Sequence, residues 1–245
     1  GGQRAEAFYY LAESFRRVHL PEDALNLFVK AQPGPWREDR RMETLYGLGL
    51  VRLETGDYAL AAKTLKEAVD AYPDHPWRSA ALSALGKAHY LSGRYEDASV
   101  ALEAALRYRA EPPTRARDFY MLGIALVSLK DYERAASAFQ ESLAASLVSN
   151  SDTGLRGVAS LELGNALYQQ QRWEEAARAY AQAARFSPSG PEAQQALYKA
   201  GKCYLAMGRR KEAAQVLSQG AAGDSGVWKK ASAQMLDQLQ SGTLP

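Results

Sequence analysis

At 245 residues the chain is long enough for one large domain or two ordinary ones, and 30 basic against 28 acidic residues leave a formal charge of only +2. That balance argues against a nucleic-acid binder, which concentrates basic charge on one face. Apolar residues make up 47%, enough for a packed core, yet the longest apolar run, Met121–Leu129, falls far short of the roughly 20 residues that span a bilayer as a helix.

From its first residues the chain repeats itself. No signal-peptide pattern opens it, and Gly1-Gly2 reads as a cloning remnant. The stretch LSGRYEDA at 91–98 has near-copies in ETGDYALA at 54–61, SLKDYERA at 128–135 and QQQRWEEA at 169–176. An alanine in this motif recurs as Ala24, Ala61, Ala98, Ala135, Ala176 and Ala213, at spacings of 37, 37, 37, 41 and 37 residues. Twelve residues before each stands a small residue: Ala12, Gly49, Gly86, Gly123, Gly164 and Gly201. Four residues after each stands a large one: Phe28, Leu65, Leu102, Phe139, Tyr180 and Leu217. A fixed period of this length is the mark of a solenoid.

Within each copy the periodicity is helical. Phe119, Leu122 and Leu126 share one helix face; after a turn, Ala98, Leu102 and Ala105 show the same pattern on a second helix. The small residues let two antiparallel helices approach closely, and the large residue fills the space beside them. Tyr58, Tyr95, Tyr132 and Trp173 open the second helices. Six helix-turn-helix units follow in order, at about 5–33, 42–75, 79–112, 116–149, 157–190 and 194–224, with a capping helix at about 226–240. The extra four residues between the fourth and fifth units fall in Ala144–Gly157, as a longer loop or as a longer helix followed by one. Ser225 is placed to cap the last helix, whose apolar stripe is Trp228, Ala231, Met235 and Leu239.

The Leu-Gly pair, the G-x-Y turn, and the alanine and large residue that follow resemble the tetratricopeptide repeat across about residues 5–220. The resemblance implies an all-α, right-handed α-solenoid forming a single superhelical domain over 1–245. Links such as Ala71-Tyr72-Pro73-Asp74-His75-Pro76 and Phe186-Ser187-Pro188-Ser189-Gly190-Pro191 are similar to those of bacterial cell-envelope members, of the Tol-Pal-associated coordinator and β-barrel-assembly lipoprotein type. That similarity implies a periplasmic or outer-membrane-associated protein, with the cytoplasm as the other compartment.

In this family the first helix of each pair lines the concave face. The positions it designates give one tyrosine per unit: Tyr9, Tyr46, Tyr90, Tyr120, Tyr168 and Tyr198. Lys87, Arg117, Asn165 and Lys202 share the line, with Glu6, Glu13 and Glu43 near its start. Tyrosine offers a flat apolar face and a hydroxyl at low entropic cost, which suits a binding surface; packing against neighbouring helices is the competing reading. The Lys and Asn set with which some members hold a C-terminal carboxylate is not matched, since the first repeat offers Tyr9 and Glu13, and Asn165 matches alone. A second cluster, Lys199, Lys202, Arg209, Arg210, Lys211, Lys229 and Lys230, reads first as the solvated basic end of a solenoid, with an acidic partner or a membrane surface as the alternative.

Nothing in the chain spells catalysis. It has no G-x-S-x-G and no phosphate loop, and His19, His75 and His89 sit in different units without partners at ligand spacing. Cys203 takes a register position filled by Ser14, Val51, Ala88, Ala125 and Ala166, so it is a packed small residue rather than a nucleophile. The expectation is a non-enzymatic scaffold without cofactor or metal, binding an extended protein or peptide segment in a tyrosine-lined groove. A polysaccharide-associated export module and an oligomerising assembly subunit are the alternatives; neither nucleic acid nor a membrane span is expected.

Overall fold

The structure, a computed structural model, describes residues 2–32, 38–108, 111–149, 153–186, 188, 191–223 and 226–243. Among them the regular structure is helical throughout, in 13 helices: α1 (Gly2–Arg17), α2 (Pro21–Ala31), α3 (Glu38–Glu54), α4 (Tyr58–Ala71), α5 (Arg78–Leu91), α6 (Tyr95–Leu106), α7 (Pro112–Ser128), α8 (Tyr132–Ser149), α9 (Thr153–Gln169), α10 (Trp173–Phe186), α11 (Pro191–Ala206), α12 (Arg210–Ala222) and α13 (Val227–Gln240). They pair into six hairpins with α13 as the cap, as the repeat register predicts. The chain divides into two compact units, Gly1–Ala110 with α1–α6 and Glu111–Pro245 with α7–α13.

What closes each hairpin is the contact between the small and large residues of the motif. A Cβ added to Gly49, Gly86, Gly123, Gly164 or Gly201 would lie 2.5–2.7 Å from Leu65, Leu102, Phe139, Tyr180 or Leu217, well inside the roughly 3.5–4.0 Å of normal carbon contact. The missing Cβ is therefore the space the large side chain occupies. In the first unit Ala24, Phe28 and Ala31 of α2 pack with Leu48 and Val51 of α3. Ala61, Leu65 and Ala68 of α4 likewise pack with Ala81, Leu85 and Ala88 of α5. In the second unit α8 packs on α9, α10 on α11, and α12 on α13.

Each hairpin turns through one residue in the left-handed region, and these residues follow the repeat: His19, Gly56, Gly93, Lys130, Gln171 and Gly208, with φ between 58° and 85°. Around each, two backbone bonds end the first helix in the same way. In the second repeat, Asp57 N–H donates to the Arg52 carbonyl at 2.8 Å and Gly56 N–H to Leu53 at 3.4 Å. In the fifth, Arg172 N–H donates to Leu167 and Gln171 N–H to Tyr168, both at 3.0 Å. This is the Schellman pairing, which satisfies carbonyls that a helix end otherwise leaves open. Tyr58, Tyr95, Tyr132 and Trp173 are the first residues of α4, α6, α8 and α10.

The four extra residues lengthen a helix: α8 has 18 residues against 14 in α4 and 12 in α6. Of the residues 149–154, whose composition suits a turn, Ser149 ends α8 and Thr153 and Gly154 open α9, while 150–152 lie outside the described residues, as does the Ser225 cap; within them, α13 starts after Gly226.

Candidate functional site

In the first unit the designated tyrosines take different environments. Tyr9 is only 5% exposed; its ring packs edge-on against Phe28 at 6.1 Å, under the Arg40 guanidinium at 4.8 Å from the ring centre, and its hydroxyl donates to Glu43 Oε2 at 3.2 Å. Burial, with the Glu43 and Glu13 carboxylates adding to it, pushes the phenol up to about 12. Tyr46 and Tyr90 are half-buried: Tyr46 meets Trp77 edge-on at 5.5 Å, and Tyr90 meets Tyr95 at 5.5 Å. Lys87 is exposed beside them. The acidic start of the line is largely internally paired, since Glu13 holds Arg16 at 2.9 Å and Glu43 holds Arg40. Glu6 is exposed.

The second unit gathers its residues more tightly. Tyr120 is half-buried against Phe139 at 5.9 Å, Tyr198 against Trp228 at 5.5 Å, and Arg117 is exposed. Between α9, α10 and α11 lies a cavity of about 230 Å³, lined by Asn165, Tyr168, Gln169, Tyr180, Lys199 and Lys202. Asn165 organises it. Its Oδ1 accepts from the Tyr180 hydroxyl at 2.9 Å and from Lys199 Nζ at 2.6 Å, while its Nδ2 donates to Glu162 at 3.0 Å. Tyr168 stacks edge-on with Trp173 at 4.8 Å and carries the Lys202 ammonium 5.4 Å from its ring centre. The six residues thus make a polar recess with two aromatic walls and two cations.

Electrostatics follow from that recess. Burial lowers the pKa of Lys199; the Glu162 carboxylate opposes this in part, and Lys202 adds to it. Burial raises the pKa of Tyr180, so its hydroxyl stays a donor to Asn165. Among the described residues neither Lys199 nor Lys202 forms an ion pair, so the site presents cationic charge to whatever enters. An anionic group entering there would meet the half-buried Lys199 ammonium at reduced solvation, where charge-assisted hydrogen bonds are strongest, with the exposed Lys202 at the rim.

Sequence reasoning placed Asn165, Tyr168 and Lys202 on one line but missed Gln169, Tyr180 and Lys199 of the recess, and Trp77 beside Tyr46. Lys199 reads from sequence as part of a solvated basic end, and Tyr180 as a core-filling residue of the motif. Trp77 lies in a linker that periodicity does not address. Of the basic end, Arg209 is held by Glu174 at 2.5 Å and Glu212 at 2.7 Å. Cys203 is fully buried and burial pushes its thiol up to about 12, the state of a packed residue rather than a nucleophile. Among the described residues no group of three or more His, Cys, Asp or Glu side chains is placed to hold a metal ion, and no helix is long and apolar enough to cross a membrane.

These features define an all-α helical-repeat protein with a side-chain recess on its first-helix face. Family models described as tetratricopeptide repeat match residues 40–111, and again 80–147 and 161–226. The chain belongs to the tetratricopeptide repeat family. No curated protein matches it in sequence. Among solved structures it is similar to MamA, residues 41 to the end, from Desulfovibrio magneticus RS-1, at 21% identity and a TM-score of 0.64, covering 78% of this chain and 98% of that one. YrrB, described as a TPR protein with an unusual peptide-binding site, shows 21% identity and a TM-score of 0.65 over 89% of this chain and 98% of its own. A putative kinesin light chain with nearly identical TPR-like repeats from Podosopora anserina gives 19% and 0.58, covering 81% and 98%. At these identities the likeness is one of fold.

Proposed function

We propose that this chain is a non-enzymatic interaction scaffold that holds an extended segment of a partner protein along its first-helix faces. The observation that carries this reading is the recess at Asn165, Tyr168, Tyr180, Lys199 and Lys202, a preformed concavity with aromatic walls and two ammonium groups. A rigid surface of this kind meets a flexible segment at low ordering cost on its own side, and aromatic anchors supply most of the energy. Tyr46, Tyr90, Tyr120 and Tyr198, each half-buried against a second aromatic ring, are the further anchors of the two units, with Lys87 and Arg117 at their edges. Family membership and the peptide-binding site named for YrrB support the reading. The linker style supports a partner complex in a bacterial envelope, periplasmic or at the outer membrane.

The test is site-specific photocrosslinking. A benzophenone side chain at position 168, irradiated in lysate of the source cells, is expected to give a discrete protein adduct that Lys202→Glu suppresses. The same group at exposed Arg178 of α10 is the control. Adducts of equal yield at both positions, or none at 168, would contradict the reading, and a protease-resistant polymer adduct at 168 would point to a polysaccharide.

A further inference from the structure

The sixth repeat breaks the register where the other five agree. Eight residues before the small residue of the motif stand Arg4, Arg41, Arg78, Arg115 and Arg156, and directly before it Leu11, Leu48, Leu85, Leu122 and Leu163. In the sixth repeat both places hold alanine, Ala193 and Ala200. On α10, the helix before it, Ala184 likewise stands where the earlier second helices carry Gln32, Val69, Leu106 and Leu143. Ala181 stands where they carry Val29, Lys66, Glu103 and Gln140.

The earlier repeats show what the missing side chains do. Leu48 packs with Ala24, Phe28 and Ala31 of α2, and Leu85 with Ala61, Leu65 and Ala68 of α4. Arg78 Nη1 donates to the Pro73 carbonyl at 3.0 Å and to the Tyr108 hydroxyl at 2.9 Å, and the Arg156 guanidinium lies 5.4 Å from the centre of the Phe186 ring. Leucine thus fills the seam between a first helix and the second helix before it, and arginine spans the end of that seam. Alanine in their place leaves space that a close-packed interior does not otherwise keep. The space is there: a cavity of about 370 Å³ lies among α10, α11 and α12, walled by Ala181, Ala184, Ala193, Leu197, Ala200 and Val216. Pro188, at the register place of Pro73, edges it. The cavity follows α11 from Ala193 to Tyr204, roughly 16 Å of helix. This face of α11 is turned away from Lys199 and Lys202, so the trough is separate from the recess.

Its polar groups are few: Arg185, Tyr204 and Gln219. No acidic side chain is among the described residues that line it. Among the described residues Arg185 makes no ion pair, and neither it nor the Tyr204 hydroxyl makes a hydrogen bond. An apolar trough with one uncompensated guanidinium at its rim suits a ligand with an apolar body and a single carboxylate, which a guanidinium holds through two parallel N–H···O bonds. We propose that this trough binds a free single-chain amphiphile with a carboxylate head, its chain laid along Ala193, Leu197 and Ala200 and its head at Arg185.

The test is calorimetric titration of the full chain with dodecanoate below its micelle concentration. One saturable site is expected, with binding at least about tenfold weaker after Arg185→Gln, and again after Ala200→Leu, which restores the leucine of the other five repeats. Arg185 is exposed, so Arg185→Gln is expected to keep the fold even if filling the trough with Ala200→Leu disturbs it; circular dichroism checks both. Dodecyltrimethylammonium, with the same chain and the opposite charge, is expected to bind at least about tenfold more weakly than dodecanoate. Three results overturn the proposal: no saturable site for dodecanoate, equal affinity for the two amphiphiles, or dodecanoate binding that Arg185→Gln leaves at full strength, as an amphiphile seated in the recess beside Lys202 would show.

Discussion

At the scale of single residues, titration separates packed from ligand-facing groups. The Tyr9 phenol, held at about 12 against about 10 in an unfolded chain, keeps its proton in the fold while the unfolded state loses it. The contribution is therefore complete below pH 10 and is lost as pH rises from about 10 to 12, on the order of 2–3 kcal/mol. Denaturation followed at several alkaline pH values measures this, and Tyr9→Phe is expected to flatten that segment of the curve. His89 behaves in the opposite sense. It is 8% exposed, and burial, with Arg94 adding to it and Asp97 opposing, holds its pKa below the ordinary imidazole value. The unfolded state then binds the proton first, so stability is full above about pH 6.5 and falls as the solution is made more acid. His89→Gln is expected to reduce that acid loss, read from melting temperatures between neutral and mildly acid buffer. The turn residues add a third expectation. Lys130 and Gln171 adopt the left-handed conformation that Gly93 adopts in the same register. Lys130→Gly and Gln171→Gly are expected to raise stability by about 0.5–1 kcal/mol each, and Gly93→Ala to lower it by about 1 kcal/mol, in urea denaturation.

At the scale of helix pairs, the repeat works because one missing Cβ admits one large side chain. Gly164 is the strictest case: a Cβ there would lie 2.5 Å from the Tyr180 ring, whose hydroxyl is tied to Asn165. Better helix propensity from Gly164→Ala amounts to about 1 kcal/mol, and the steric conflict to about 1–3 kcal/mol. The balance is a net loss of up to about 2 kcal/mol, together with displacement of Tyr180 from Asn165. This element was legible in the sequence: the small and large residues sit at constant offsets from the alanine, and their close approach is what those offsets encode. The left-handed turn was legible only where it is glycine. At His19, Lys130 and Gln171 the conformation is imposed by the helix-end hydrogen bonds of the register, and local side-chain preference gives no sign of it. The growth of α8 to 18 residues has no single sign in the sequence, because the added residues suit a longer helix or a longer loop.

At the scale of the molecule, six copies of one hairpin give a scaffold whose function resides in what differs between copies. Asn165, Tyr168 and Lys202, which vary from repeat to repeat along the first-helix line, form the recess together with Lys199 beside that line and Tyr180 of the motif, whereas the small residues and alanines that recur in register form the hairpin cores. Part of that site was visible as a line of tyrosines and charges at family-designated positions. The rest was hidden for a physical reason. Periodicity assigns Tyr180 to packing and Lys199 to solvent, and only the three-dimensional approach of α9, α10 and α11 shows both meeting at Asn165. Tyr9 shows the converse, a designated position whose ring is consumed by the core it helps to build.

On the proposed function, the recess of the second unit grips a partner segment. The most direct measurement is quantitative affinity purification from the source cells with the wild-type chain and with a Tyr168→Ala/Lys202→Glu variant shown by circular dichroism to keep its helices. One protein is expected to be retained by the wild type and lost by at least about tenfold from the variant, a difference of roughly 1.4 kcal/mol or more in binding. Equal retention of the same proteins by both chains would contradict it.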